Sequence, residues 1–229
     1  MPSAARLLLT VCKSVCIVDN SKAITLSLSV EGYADHTDHV VSRLLHLLQN
    51  GFMVRAQVGC SIKEFLHQQQ KLSQEYISKR ISTIFLDGKP VDDIDSAVIQ
   101  DGSILALSGA MPGLVGAVLR RDSFYASFRS SITYKGGDNV SQQAEGLIRL
   151  KLFNMVMKEL GLHFLEKGIF LRASDLSRFL VNQWENFPRG CREVLLNGDP
   201  VEPNRIKDGK FALPNDLVFL TVKTIGVLE

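Results

Sequence analysis

The sequence predicts an α+β (mixed α/β) protein of two similar lobes related by internal duplication, and three observations carry that reading. The first is a frame that occurs twice, IFLDGKPV at residues 84–91 and VLLNGDPV at residues 194–201. Each opens with apolar residues and breaks at Asp87-Gly88 or Asn197-Gly198, followed by Pro90-Val91 or Pro200-Val201. Asp-Gly and Asn-Gly tolerate positive φ and proline removes a ladder donor, so each frame reads as strand, tight turn and short extended segment. The second observation lies upstream of each turn. Gly51-Phe52-Met53-Val54 precedes a Ser61-led helix ending in Phe65-Leu66, and Gly168-Ile169-Phe170-Leu171 precedes an Asp175-led helix ending in Phe179-Leu180. The third is one step further back, where each glycine follows a helical segment and each helix follows an alternating strand, residues 24–28 or 147–152. Each unit therefore reads strand, helix, strand, helix, strand, strand. The glycines 51 and 168 stand 117 apart and the turns 87 and 197 stand 110 apart, a drift that loop-length changes absorb.

In chain order, residues 1–20 read as a strand or irregular lead-in. The strand at 23–30 alternates Ile24, Leu26 and Leu28 with Thr25, Ser27 and Ser29, the period of a sheet with one buried face. Asp35, Thr37 or Asp38 caps the next helix, whose stripe of Val40, Val41, Leu44, Leu45 and Leu48 ends at Asn50-Gly51. In the helix after Ser61, Ile62, Phe65, Leu66, Leu72 and Ile77 are expected inside, with Gln68-Gln69-Gln70 on a solvated face. The second unit's first helix buries Val156, Leu160, Phe164 and Leu165, and Trp184 and Phe187 help close its core. The expected division is a first lobe at 1–113, a connecting segment with an extra strand at 114–140, and a second lobe at 141–229.

The composition bounds the chemistry. At 229 residues each half is long enough to bury a core without metal or disulfide support. Lys+Arg 26 against Asp+Glu 24 leaves a net charge of +2, which gives no reason to expect nucleic acid or an acidic membrane as partner. The cysteines, at 12, 16, 60 and 191, form no CxxC pair, so they read as free thiols of a cytoplasmic protein. No leader is expected from residues 1–19, because Lys13 and Asp19 interrupt the apolar run. No apolar span reaches the ~20 residues that cross a bilayer.

Chemistry-bearing clusters are few. Asp35, His36, Asp38, His39 and His46 make up no complete ligand set, since zinc needs three or four converging donors; they read as solvated or capping groups. Asp92, Asp93 and Asp95 crowd one loop without the glycine and terminal glutamate of a calcium hand, and read as a turn. Gly109, Gly113 and Gly116 match neither a P-loop nor GxGxxG and read as packing and turn glycines. No serine sits in GxSxG. Neither a catalytic constellation nor a cofactor is expected, and an enzyme is the less favoured reading.

The stretch 109–134 is the part that the duplication does not explain, and sequence extra to a repeat commonly maps to a binding face. Its candidate partner-binding residues are Met111, Leu114, Val115, Arg120, Arg121, Tyr125 and Arg129, an apolar centre with basic and aromatic neighbours. Alternation through 124–134 predicts a strand with Phe124 and Phe128 inward and Tyr125 and Arg129 outward. Phe128→Ala is then expected to cost about 3–5 kcal/mol as a core truncation.

The order strand, helix, strand, Asp87-Gly88-x-Pro90-Val91, followed by DGSILALSGAMPG at 101–113, resembles the β-grasp (ubiquitin-like) family, and in particular the sulfur carriers of thiamine and molybdopterin biosynthesis. The resemblance covers about residues 52–113 and, less closely, 168–226. It implies a β-grasp-like fold in each lobe. Carrier activity would need a free C-terminal Gly-Gly, whereas Gly113 is internal and the chain ends at Val227-Leu228-Glu229. The expected function is accordingly a non-enzymatic protein-interaction or scaffold module, with a protein partner or self-association. The alternative is a small-molecule-binding or sulfur-transfer accessory protein with a cleft between the lobes.

Overall fold

The computed structural model of the chain describes residues 23–32, 38–136, 143–183, 191–202 and 217–226. The first unit gives β1 (Ile24–Gly32), α1 (Asp38–Asn50), β2 (Phe52–Val58), α2 (Ile62–Glu64) running into a π-helical turn (Phe65–Gln69), α3 (Gln74–Lys79), β3 (Thr83–Leu86), β4 (Lys89–Pro90) and β5 (Ile104–Ser108). The second gives β6 (Ala144–Phe153), α5 (Asn154–Lys167), β7 (Ile169–Arg172), α6 (Ala173–Gln183), β8 (Cys191–Leu196), β9 (Asp199–Pro200) and β10 (Leu217–Gly226). Between the units lie α4 (Gly113–Leu119) and a 3-10 helix (Phe124–Arg129).

The α+β class is thus present, but the strands join into one ten-stranded mixed sheet, in the order β4-β3-β5-β6-β2-β7-β10-β1-β8-β9. Period-2 alternation explains how the core forms. Leu26 and Leu28, Phe52 and Val54, Ile84 and Leu86, Leu105 and Leu107, Ile148 and Leu150, and Val218 and Leu220 are all buried in one hydrophobic cluster. Pairings such as Phe52↔Leu150, Leu105↔Leu150 and Leu26↔Leu220 keep these side chains on one face. That cluster also holds Leu44, Leu45 and Leu48 of α1, the expected Ile62, Phe65, Leu66, Leu72 and Ile77, and Val156, Leu160, Phe164 and Leu165 of α5, so the helices cover that face. At the α1–α5 crossing, Gly161 lets the helices approach, since a Cβ there would collide with Leu45. Gln70 departs from expectation: it is buried, because the π-turn swings it inward and Lys167 Nζ donates to its Oε1. Asp35, His36, Thr37, Trp184 and Phe187, and the side chains of Asp38, His39, Val40 and Val41, lie outside the described residues.

The strand order is one that spacing could not reveal. Outward from the β2–β7 seam the sheet runs β6, β5, β3, β4 on one side and β10, β1, β8, β9 on the other. Each half takes in a strand from the other part of the sequence: β6 lies between β2 and β5, and β1 between β10 and β8. The placement is unequal, because β6 sits inside β5 whereas β1 sits outside β10. The repeated turns show what each neighbour contributes. Asp87 and Asn197 adopt φ of 51° and 54°, followed by Gly88 and Gly198, also at positive φ. Asp87 Oδ1 accepts from Ile104 N of β5 at 2.7 Å, and Asn197 Oδ1 accepts from Thr25 N of β1 at 3.0 Å. The backbone repeats the match, Asp87 N donating to Ile104 O and Asn197 N to Thr25 O. In the second half β1 fills the place that β5 fills in the first. Asn197→Ala should therefore cost about 1–2 kcal/mol, the sum of a side-chain bond and a left-handed backbone that alanine tolerates poorly. Chemical denaturation measures it, and Asn197→Gly should restore the backbone part but not the bond.

Candidate protein-interaction surface

The stretch 109–134 does not extend the sheet. Pro112 and Gly113, the latter at φ 78°, turn the chain into α4, and Gly116 packs on the Met111 carbonyl where a Cβ would overlap it. Asp122, at φ 55°, reverses the chain after α4. Ser123 then caps the 3-10 helix, its hydroxyl accepting from Tyr125 N at 3.2 Å. The result is a helical hairpin laid on the first unit, tied to it by Arg121 N donating to Ser82 O and Tyr134 N to Pro90 O.

This corrects the expected strand and inverts the expected faces. Phe124 and Phe128 are 88% and 74% exposed, and Arg129 is 2% exposed. The physical reason is what Arg129 can reach from the turn. Its Nη1 and Nη2 meet both oxygens of Asp92, at 2.9 and 2.5 Å; Nη1 also donates to Thr133 Oγ1, and Nε to Val118 O at 2.8 Å. One planar guanidinium thus satisfies the open C-terminal end of α4 and a carboxylate together, a fit that a phenyl ring could not make. Arg129 is consequently no outward partner-binding residue. Arg121 is half-buried as well, with Nη2 donating to the carbonyls of Ile77 and Ile81, at 3.1 and 2.8 Å. Burial pushes its guanidinium below the usual range, partly offset by Asp122 and Asp92.

Of the other candidates, Leu114 and Val115 are about 70% exposed, Tyr125 is 40% exposed, Arg120 is exposed and Met111 is half-buried. Sequence reasoning places Phe124 and Phe128 in the core and does not single out Ile132, yet all three lie at the surface. Phe124 meets Tyr125 edge-on at 5.5 Å between centroids, and Tyr125 stacks on Phe128 at 6.1 Å, so the rings form one cluster. Aromatic side chains present roughly 150–250 Å² each, so the exposed shares of these three come to on the order of 400 Å². That alone is comparable to the largest contiguous apolar patch of a typical monomer, about 300–600 Å², a patch that is often functional.

Concavities among the described residues include one beside the hairpin and one at the β2–β7 seam. A cleft of about 640 Å³ in the first half is lined by Lys63, Glu75, Asp93, Asp95, Arg121 and Asp122. Its acids are engaged within the protein: Lys63 pairs with Asp95 at 2.8 Å, and Asp93 accepts from the backbone N–H of Asp95, forming the expected turn. The second, about 180 Å³, opens at the seam, where β2 and β7 share only the pair Met53↔Phe170. Arg55 stands over the Phe170 ring there, and Lys167 donates to Gln69 O and Gln70 Oε1. His46 is exposed, and among the described residues no group of three or more His, Cys, Asp or Glu converges to hold a metal. No helix among the described residues is long and apolar enough to cross a membrane.

Cys60 and Cys191 are free thiols. Burial raises the pKa of both, Cys191 to about 11 from 9.0. At pH 8 Cys191 should react with iodoacetamide ~100-fold more slowly than an unhindered thiol, because that displacement leaves proportionately less thiolate. The sign for stability is fixed too: the unfolded thiol ionises first, so the contribution of Cys191 is intact below pH 9.0 and is lost as pH rises towards about 11. Timed alkylation of intact protein, read by mass spectrometry, checks the rate.

No known protein family, curated protein or solved structure matches this chain.

Proposed function

We propose that this protein is a non-enzymatic interaction module that engages a protein partner through the helical hairpin at 109–134. The observation that supports it most is the distribution of exposed large apolar side chains. Six of the nine among the described residues, Leu114, Val115, Phe124, Tyr125, Phe128 and Ile132, fall on this one hairpin. Such a concentration is not the scattered exposure that any soluble surface shows. The hairpin is also held in place by Arg121 and Arg129, so its rings are presented in a fixed arrangement and little ordering is required on binding. A β-grasp-like ancestry for each half is part of this reading. It is supported by the matching turns at Asp87 and Asn197 and by the antiparallel β6–β2 pair, which supplies in trans the strand pairing that a β-grasp hairpin supplies locally.

The test is quantitative affinity purification with tagged wild type and with Phe124→Ser/Phe128→Ser. A chain recovered in near-stoichiometric amount with wild type should fall at least ~10-fold with the double variant, as removal of interface anchors worth ~2 kcal/mol or more requires. Thermal unfolding should stay unchanged because both rings are exposed. If every co-purifying chain is retained by the variant, the proposal fails. The alternative, a small-molecule accessory protein, draws its support from the seam cavity with Arg55 and Lys167 at its wall.

A further inference from the structure

We propose that the partner seated on the hairpin is a second copy of this chain; this rests on the reading of 109–134 as an interaction surface. The first argument is area. With the exposed parts of Leu114, Val115 and Ile132 added to the three rings, the hairpin offers on the order of 700 Å² of side-chain surface, close to the ~800 Å² that each partner contributes to a standard interface. A two-fold pairing that buried this surface in both copies would reach the total that a specific dimer needs without recruiting another face.

The second argument is charge. From Ser123 to Tyr134 the only charged side chain is Arg129, and it is spent inward on Asp92. The centre of the surface therefore presents rings, an isoleucine and the exposed hydroxyls of Ser127, Ser130 and Ser131, with no free charge. An occupant must be equally free of charge where it meets that centre, and the same surface of another copy meets that condition by construction. Beyond the centre, Arg120 and Asp122 are both exposed and stand two residues apart, so each copy carries both signs on one rim and two copies can face each other without like-charge repulsion. The net charge of +2 adds little long-range repulsion between copies.

Sedimentation velocity of the full chain, from low micromolar to a few hundred micromolar, tests this. The expected result is a reversible dimer for wild type and a monomer for Phe124→Ser/Phe128→Ser over the same range, with identical circular dichroism and, at concentrations where wild type is also monomeric, the same melting temperature. Leu114→Gln/Val115→Gln provides a second variant on the other arm of the hairpin, should the first fail to fold, and it too should weaken the dimer at least tenfold. A wild type that stays monomeric overturns self-association, while the surface reading is then decided separately by the affinity purification. A dimer that persists unchanged in the folded variants places the contact elsewhere and overturns self-association through the hairpin.

Discussion

Arg129→Ala is expected to destabilise the fold by on the order of 3 kcal/mol, whereas Phe128→Ala should change stability by less than about 0.5 kcal/mol. The contrast follows from what each side chain touches. Truncating Arg129, 2% exposed, strips Asp92 of its cation and leaves the carbonyl of Val118 at the end of α4 without its donor. Asp92 keeps access to water, its side chain being 37% exposed, which holds the loss at the low end for a broken buried pair. Phe128 removes only exposed ring surface. Urea denaturation of the two variants beside wild type measures both. Arg129→Lys should recover little, because an ammonium cannot span two carboxylate oxygens and a carbonyl at once. Equal effects for Arg129→Ala and Phe128→Ala would contradict the arrangement.

A chain ended after residue 136 should show no cooperative unfolding at all. It retains every element of the first unit, but β2 and β5 then lose β6, the strand that joins them through two ladders. With β6 and α5 go Ile148, Leu150, Leu152, Val156, Leu160, Phe164 and Leu165, all buried. At about 1.5–3 kcal/mol per buried side chain, this loss matches the whole net stability of a typical domain, about 5–15 kcal/mol. Adding residues 137–229 as a separate chain should restore a cooperative transition if the two pieces can complete one sheet. Circular dichroism through a denaturant series distinguishes the outcomes. A fragment that unfolds cooperatively by itself would mean that the first unit closes its own sheet.

The elements themselves were legible because they are written locally. Alternation marked β1 and β6, the leucine stripe marked α1, and Asp87-Gly88 and Asn197-Gly198 marked the turns whose positive φ the structure shows. Which strands pair was not legible, because Leu26 is equally apolar beside Leu220 or beside a strand of its own unit; pairing across nearly two hundred residues leaves no periodic trace. The hairpin failed for a different reason. Positions 124 and 128 are four apart, and four residues return to the same side of a strand, whereas in the 3-10 helix actually formed they are about a third of a turn apart. Both rings are exposed all the same, so the alternation paired them but could not say which way they faced. The missed signal was Ser123, a good cap, ahead of FYASFR, a run without a β-branched residue. Asp92, the partner that draws Arg129 inward, lies 37 positions away, and nothing near either residue announces the bond.

The long-range pairing of β1 also sets an order of events during synthesis. β1 leaves the ribosome well before both of its ladder partners, β8 and β10. At translation rates of about 5–20 residues per second, roughly ten to forty seconds separate the two. During that interval an alternating strand carrying Leu26 and Leu28 has neither of its edges covered, which is the condition that favours premature pairing with another chain. A strand made early is among the last to find its place, and a nascent chain paused before residue 217 should be the species that chaperones hold.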